Sequence, residues 1–248
     1  MRVILLAAGK GRRFGKRTKR LPKCLIPLGS GGETLLSRYL ASFRALGLRD
    51  VVLVLGHKKE KIIRECVEKG RGLSVKFLVN PDYEKGSIVS LCTAAGEMDE
   101  DCLLMDADVF FRTGALKKLV RARNTSFLLD PRSKSGGEEM MVMAQGRRLV
   151  RISKKVDPKL TIVGEAVGFF KVKKEDAKRL AEILKKMVRA GKTGVEYEES
   201  YNELMKVKKV GFEIITGFWT EMDFEEDLKS LRKARAASKV PPNSLPNR

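Results

Sequence analysis

Residues 2–28 read RVILLAAGKGRRFGKRTKRLPKCLIPL. Arg2–Ala7 is a short apolar run ended by Gly9-Lys10-Gly11, which predicts a strand buried on both faces that opens into a tight turn. Eight basic residues then fall between Leu5 and Leu25, together with three glycines. Glycine lets backbone N–H groups approach an anion closely, and the following cations neutralise its charge. The stretch therefore suits a nucleotide's phosphates, a nucleic-acid backbone, or water alone, and the rest of the chain has to separate these.

Working outward, apolar runs alternate with amphipathic stretches. Thr34–Leu46 is a predicted helix with Leu35, Leu36, Tyr39, Leu40, Phe43 and Leu46 on one face. Strands are predicted at Val51–Leu55, Val75–Val79, Cys102–Met105 and Ser126–Leu129, with helices at Glu60–Lys69, Ser87–Ala95 and Leu116–Arg123. This β-α-β series favours an α/β fold: a three-layer α/β/α arrangement with a mainly parallel, mixed central sheet. MMVMAQGRRLVRIS (140–153) has two apolar stretches joined around Gln145-Gly146, a β-hairpin pattern. Strand Val167–Val172, helix Glu175–Ala190, strand Phe212–Ile215 and helix Phe224–Arg235 follow. Residues 1–235 read as one domain with an insertion at about 131–172, and 236–248 as a disordered basic, proline-rich tail.

The totals set limits. A chain of 248 residues, 43% hydrophobic, can bury one sizeable core. No apolar run approaches the roughly 20 residues that span a bilayer, and no signal peptide is visible, so the expectation is no membrane insertion and a cytoplasmic location. Cys24, Cys66, Cys92 and Cys102 form no close pair, and His57 is the only histidine, which argues against a zinc site or a disulfide framework. The formal charge of +20 makes anionic partners plausible. Nucleic acid is the weaker choice, since RRM, KH and zinc-finger signatures are missing and aromatic residues make up only 6% of the chain, leaving few stacking platforms.

Two familiar phosphate loops do not fit the glycine turn. A P-loop needs Gly-Lys-Ser/Thr preceded by a glycine five positions earlier; here Gly15-Lys16 is followed by Arg17, and position 10 is Lys10. The dinucleotide pattern GxGxxG would need glycine where Phe14 stands, and no clean acidic residue ends the second strand.

Asp106-Ala107-Asp108 follows an apolar strand, so it lies at a carboxyl end, where open α/β sheets place their ligands. Strand alternation points both aspartates to one side, and such hard oxygen ligands suit Mg²⁺. An acidic turn that merely ends the strand has the same spacing.

Leu6-Ala7-Ala8-Gly9-x-Gly11-x-Arg13, followed by Thr18-x-x-x-Pro22-Lys23-Cys24-Leu25-Ile26-Pro27-Leu28, resembles the signature of the nucleotidyltransferases that make nucleoside-diphosphate-activated sugars and alcohols. The resemblance implies that Leu6, Ala7, Ala8, Gly9 and Gly11 wrap the triphosphate of an incoming NTP. Arg13 is then implied on the leaving pyrophosphate and Lys23 on the α-phosphate. Arg12 and Phe14 depart from the usual Ser/Thr and Leu/Met without removing a phosphate ligand. The family carries a metal-binding aspartate at the DAD position, so Asp106 and Asp108 are candidates. FWTEMDFEEDLKSL (218–231) matches its late acidic motif and assigns the second ligand to Asp223, which also stands where a helix N-cap would. The implied reaction is in-line attack of a phosphate or phosphonate oxygen on the α-phosphorus, with Mg²⁺ as cofactor and pyrophosphate leaving.

Several segments resemble the cytidylyltransferase branch, which acts on phosphocholine, aminoethylphosphonate or inositol phosphate. NPDYEKGSIVSL (80–91) would bring Asn80, Gly86, Ser87 and Ser90 toward the base or ribose; for Ser87 a plain helix cap is an equal reading. EEMMV, RISKK and GEAVGFFKV imply Lys154 on phosphate, and Glu139 and Glu165 facing the acceptor or a second metal. The expected partners are CTP and a small phosphorylated or phosphonate acceptor, with a homodimer left open. UTP, GTP or dTTP with a sugar 1-phosphate is the alternative.

Overall fold

The computed structural model describes residues 1–237. Strand β1 (Arg2–Ala7) leads through the basic loop to helix α1 (Leu35–Ala45), β2 (Asp50–Leu55), α2 (Lys59–Lys69), β3 (Ser74–Val79) and α3 (Ser87–Thr93). Then come β4 (Cys102–Asp106), β5 (Val109–Phe110), α4 (Thr113–Arg121) and β6 (Ser126–Asp130). The hairpin strands β7 (Met141–Gln145) and β8 (Arg148–Ser153) precede β9 (Thr161–Val172), α5 (Lys174–Arg189), α6 (Glu198–Val207), β10 (Gly211–Ile214), β11 (Thr220–Glu221) and α7 (Glu225–Ala237).

The main sheet runs β10-β6-β9-β4-β1-β2-β3, with β7 and β8 joined to it through β9. β1 pairs in parallel with β2 and β4, and β2 with β3. β9 is antiparallel to both β4 and β6, which makes the sheet mixed, as expected. The parallel centre is apolar because helices cover both of its faces. Val3, Leu5, Val51, Leu53, Leu103 and Met105 face the layer built on α1, α2, α4 and α7. Ile4, Val52, Val54, Cys102 and Leu104 face the layer of α3, α5 and α6. Helix α1 starts where its sequence predicts: Thr34 Oγ1 accepts from Ser37 N and Ser37 Oγ from Thr34 N, both at 3.0 Å, a reciprocal cap that contributes about 1 kcal/mol.

The hairpin forms as read, with Gly146 left-handed (φ +59°) at its turn. β9 begins at Thr161, not Val167, because Gly164 conceals a longer strand; a side chain there would strike the Asp130 carbonyl at 2.8 Å. Helix α6 was not expected. Of the predicted tail, 238–248 lies outside the described residues, and α7 extends through Ala237. Among the described residues, no helix is long and apolar enough to cross a membrane.

Candidate active site

The glycine turn leaves the carboxyl end of β1 and forms one wall of a cleft lined by Leu6, Ala7, Gly9, Gly11, Pro22, Lys23, Cys24, Ala107 and Asp108. Gly11 is left-handed (φ +59°), and a Cβ there would press Thr18 Cγ2 at 3.1 Å. Thr18 Oγ1 donates to the carbonyls of Gly11 and Gly15, both at 2.9 Å, which closes the loop on itself. Of the residues implied on the triphosphate, Leu6, Ala7, Gly9 and Gly11 reach this cleft. Ala8 is buried instead, and its carbonyl accepts from His57 N at 3.0 Å.

Lys23 Nζ donates to Asp108 Oδ2 and Asp223 Oδ1, each at 2.7 Å. Burial opposes the ammonium charge, but Asp108 and Asp223 outweigh it and raise the lysine's pKa. Arg13 adds a second cation, 2.8 Å from Asp223 Oδ2. Two short strands bring the aspartates together: β5 and β11 pair antiparallel, and Met222 N donates to Asp108 O at 2.9 Å. The same pairing delivers Glu221, which the sequence reading missed. Carboxylate oxygens of Asp108, Glu221 and Asp223 lie within 4.8 Å of one another. Part of the surface of Glu221 is open, yet its carboxyl is pushed up to about 8 by lost hydration and by the negative charges of Asp108 and Asp223. Three hard oxygen donors that repel one another fit a divalent cation such as Mg²⁺.

Asp106 is not part of that group. β4 ends at Asp106 and the chain turns through Ala107 and Asp108, so strand alternation does not carry to Asp108. The Asp106 carboxyl accepts a short hydrogen bond from the Tyr197 hydroxyl, and burial together with Asp108 and Glu198 raises its pKa. Asp227, an acid of the late motif, caps α7: its Oδ2 accepts from Asp223 N at 2.9 Å and Phe224 N at 2.6 Å.

Other cations of the opening stretch are also matched. Lys10 and Arg12 both contact Glu84, at 2.6 and 3.1 Å, and Arg17 lies 3.4 Å from Glu225. Lys154 contacts Glu138 Oε2 at 3.3 Å, and Arg13 NH1 reaches the same oxygen at 3.0 Å.

The remaining predicted residues are engaged inside the protein. Asn80 is buried, donates to Ser90 Oγ at 3.1 Å and accepts from Asp82 N at 2.9 Å. A Cβ on Gly86 would meet Thr193 O at 2.3 Å, so glycine is needed there for close backbone approach. Ser87 Oγ donates to Glu196 Oε2 at 2.5 Å and accepts from Tyr197 N at 2.9 Å, which ties α3 to the start of α6. Glu139 Oε2 accepts from Gly136 N at 2.6 Å. Glu165 is half-buried opposite Asp130 on β6, and burial raises its pKa. Trp219 donates its ring N–H to Asp130 at 2.7 Å and packs against the core.

The sequence pattern of the MobA-like NTP transferase domain matches residues 3–183. The CMP-5'-(3-aminopropyl)phosphonate synthase of Streptomyces rubellomurinus is 32% identical over 127 residues, covering 51% of this chain and 20% of that protein. The bifunctional IPC transferase and DIPP synthase of Thermococcus kodakarensis is 26% identical over 233 residues, 94% of this chain and 50% of that one. The chain thus spans half or less of the length of these relatives. The CTP:phosphocholine cytidylyltransferase of Streptococcus pneumoniae shares the fold, with a TM-score of 0.76 over 94% of this chain and 98% of that chain at 18% identity.

Proposed function

The chain belongs to the MobA-like NTP transferase domain family, and from that premise we propose that it is a Mg²⁺-dependent cytidylyltransferase. It joins CMP from CTP to a small alcohol carrying a phosphate or phosphonate, with release of pyrophosphate. The observation that carries this is the convergence of Lys23, Arg13, Asp108 and Asp223 at the mouth of a glycine-lined cleft. The choice of CTP and of a phosphonate or phosphoalcohol acceptor is supported by what two of the similar proteins, the aminopropylphosphonate synthase and the phosphocholine cytidylyltransferase, are named for.

In this reading the open backbone at Gly9 and Gly11 cradles the triphosphate, and Gly9 has space for that approach. Lys23 sits at the α-phosphate and Arg13 neutralises charge on the departing pyrophosphate. Lys154 orients the acceptor phosphate. Asp108, Glu221 and Asp223 would hold Mg²⁺, which supplies charge neutralisation for phosphate oxygens when bound. An acceptor phosphate is already ionised at neutral pH, so positioning replaces a general base.

The test is a pyrophosphate-release screen of CTP, UTP, GTP and dTTP against phosphocholine, aminoethylphosphonate, inositol 1-phosphate and common sugar 1-phosphates. Release with CTP and a phosphoalcohol or phosphonate is expected. Release only with a sugar 1-phosphate and another NTP would replace the substrate assignment, and no release with any pair would sink the enzymatic one.

A further inference from the structure

Arg13 and Lys154, the two cations placed on substrate phosphates above, converge on one carboxylate oxygen. Arg13 NH1 lies 3.0 Å and Lys154 Nζ 3.3 Å from Glu138 Oε2. An oxygen that receives two cations stands where a phosphate oxygen would be received. Glu138 lies on the segment between β6 and β7, and that segment is fastened on both sides of it. Arg132 grips Asp130 through Nε and Nη2, both at 2.8 Å, and on the other side Met140 O accepts from Ala166 N of β9 at 2.8 Å. Gly137 is left-handed (φ +100°), a conformation that lets the chain reverse at this point.

The hold is weak. The Glu138 side chain is 67% exposed, and its partners Arg13 and Lys154 are 48% and 36% exposed. Exposed ion pairs of this kind contribute little, because water screens them and two long side chains lose rotamer freedom. The triphosphate at Arg13 and the acceptor phosphate at Lys154 each carry more charge than a single carboxylate and outcompete it for these cations. Glu138 is also outside the group of carboxylates that fits a metal.

We propose that Glu138 is a displaceable counter-anion, which holds Arg13 and Lys154 when no substrate is bound and yields both to substrate phosphate. Segment 131–140 then meets Arg13 and Lys154 only through Glu138, and substrate phosphate releases it there. Glu138 opposes substrate binding, although it sits among residues that favour it. The inference rests on the preceding assignment of Arg13 and Lys154 to phosphates.

The experiment measures binding of CTP with Mg²⁺, and separately of inorganic pyrophosphate, by titration calorimetry on the whole chain and on Glu138→Gln and Glu138→Ala. Steady-state KM and kcat for CTP are measured in parallel. Both variants are expected to bind each probe roughly three- to tenfold more tightly and to show a matching fall in KM, as loss of one or two exposed ion pairs allows. Unchanged or weaker binding, or a tenfold fall in kcat, would overturn the counter-anion role while leaving the enzymatic assignment standing. Failure of the unmodified chain to bind either probe, together with no pyrophosphate release from any NTP, would remove the phosphate assignment of Arg13 and Lys154 and this inference with it.

Discussion

Lys23 and Asp223, 200 residues apart in sequence, meet at 2.7 Å. The lysine supplies the positive charge on which Asp108 and Asp223 both depend, and its raised pKa records that dependence. Replacing it with methionine keeps most of the length of the side chain and removes the charge. Lys23→Met should lower pyrophosphate release by about 100-fold or more, the usual cost of losing one preorganised charge at a reacting phosphoryl group. The variant should also gain more thermal stability from added Mg²⁺ than the parent does, since the cation then replaces the missing ammonium. Activity within tenfold of the parent would take Lys23 out of the reaction.

The carboxylates make a sharper contrast. Added Mg²⁺ should raise the unfolding temperature of the parent, because a ligand that binds only the folded state stabilises it by mass action. Asp223→Asn should lose that increase and Glu221→Gln should reduce it, as both belong to the group that fits a metal. Asp106→Asn should keep it, since the Asp106 carboxyl is engaged by Tyr197. A thermal-shift series in Mg²⁺ reads all three; loss of the response in Asp106→Asn would instead place that residue among the ligands.

How much of this was legible in the sequence follows from how local each signal is. The strands of the parallel centre were readable because burial on both faces makes them continuous apolar runs. Asp108 and Asp223 were reachable through the resemblance, which has no need of the fold to join distant residues. Glu221 was not, although Glu221 and Asp223 stand two apart beside β11, where a strand's period would have placed them on one side. Helix α6 was missed because charged residues crowd its start, yet Tyr197, Tyr201, Leu204 and Met205 recur at helical spacing and are all buried. Ser87 and Asn80 show the opposite limit. Their residue types suit a nucleotide, and only the fold shows the bonds they make within the protein, Ser87 to Glu196 and Asn80 to Ser90.

Two glycines separate backbone conformation from crowding. Gly11→Ala forces a side chain into the left-handed region (φ +59°), which costs about 1–2 kcal/mol, and it stiffens the phosphate-binding turn. Gly86 has extended backbone, so alanine is conformationally acceptable there, but its Cβ would stand 2.3 Å from the Thr193 carbonyl. The segment that starts α6 must then shift, and Gly86→Ala should cost about 1–3 kcal/mol, the range for overpacking. Urea denaturation measures both. Gly11→Ala should weaken CTP binding beyond its loss of stability, whereas Gly86→Ala should lose stability chiefly; the reverse pattern would return Gly86 to the nucleotide site.

The base of the segment carrying Glu138 should depend on acid in a defined direction. Asp130 accepts from the Arg132 guanidinium at 2.8 Å, from the Trp219 ring N–H at 2.7 Å and from Arg132 N at 2.9 Å. These donors, led by Arg132, hold its carboxyl at about 2 in the folded protein, below the ordinary 3.8. A depressed folded value means that the contribution is fully present above pH 3.8 and is lost as pH falls toward 2. With allowance for the exposed Arg132, that contribution is about 1–2 kcal/mol. Asp130→Asn should therefore be less stable than the parent by that amount at pH 6, and the two should converge near pH 2. Urea denaturation across this range checks it: a gap that stays constant down to pH 2 would show that Asp130 stabilises by shape and hydrogen bonding, with no part played by its charge.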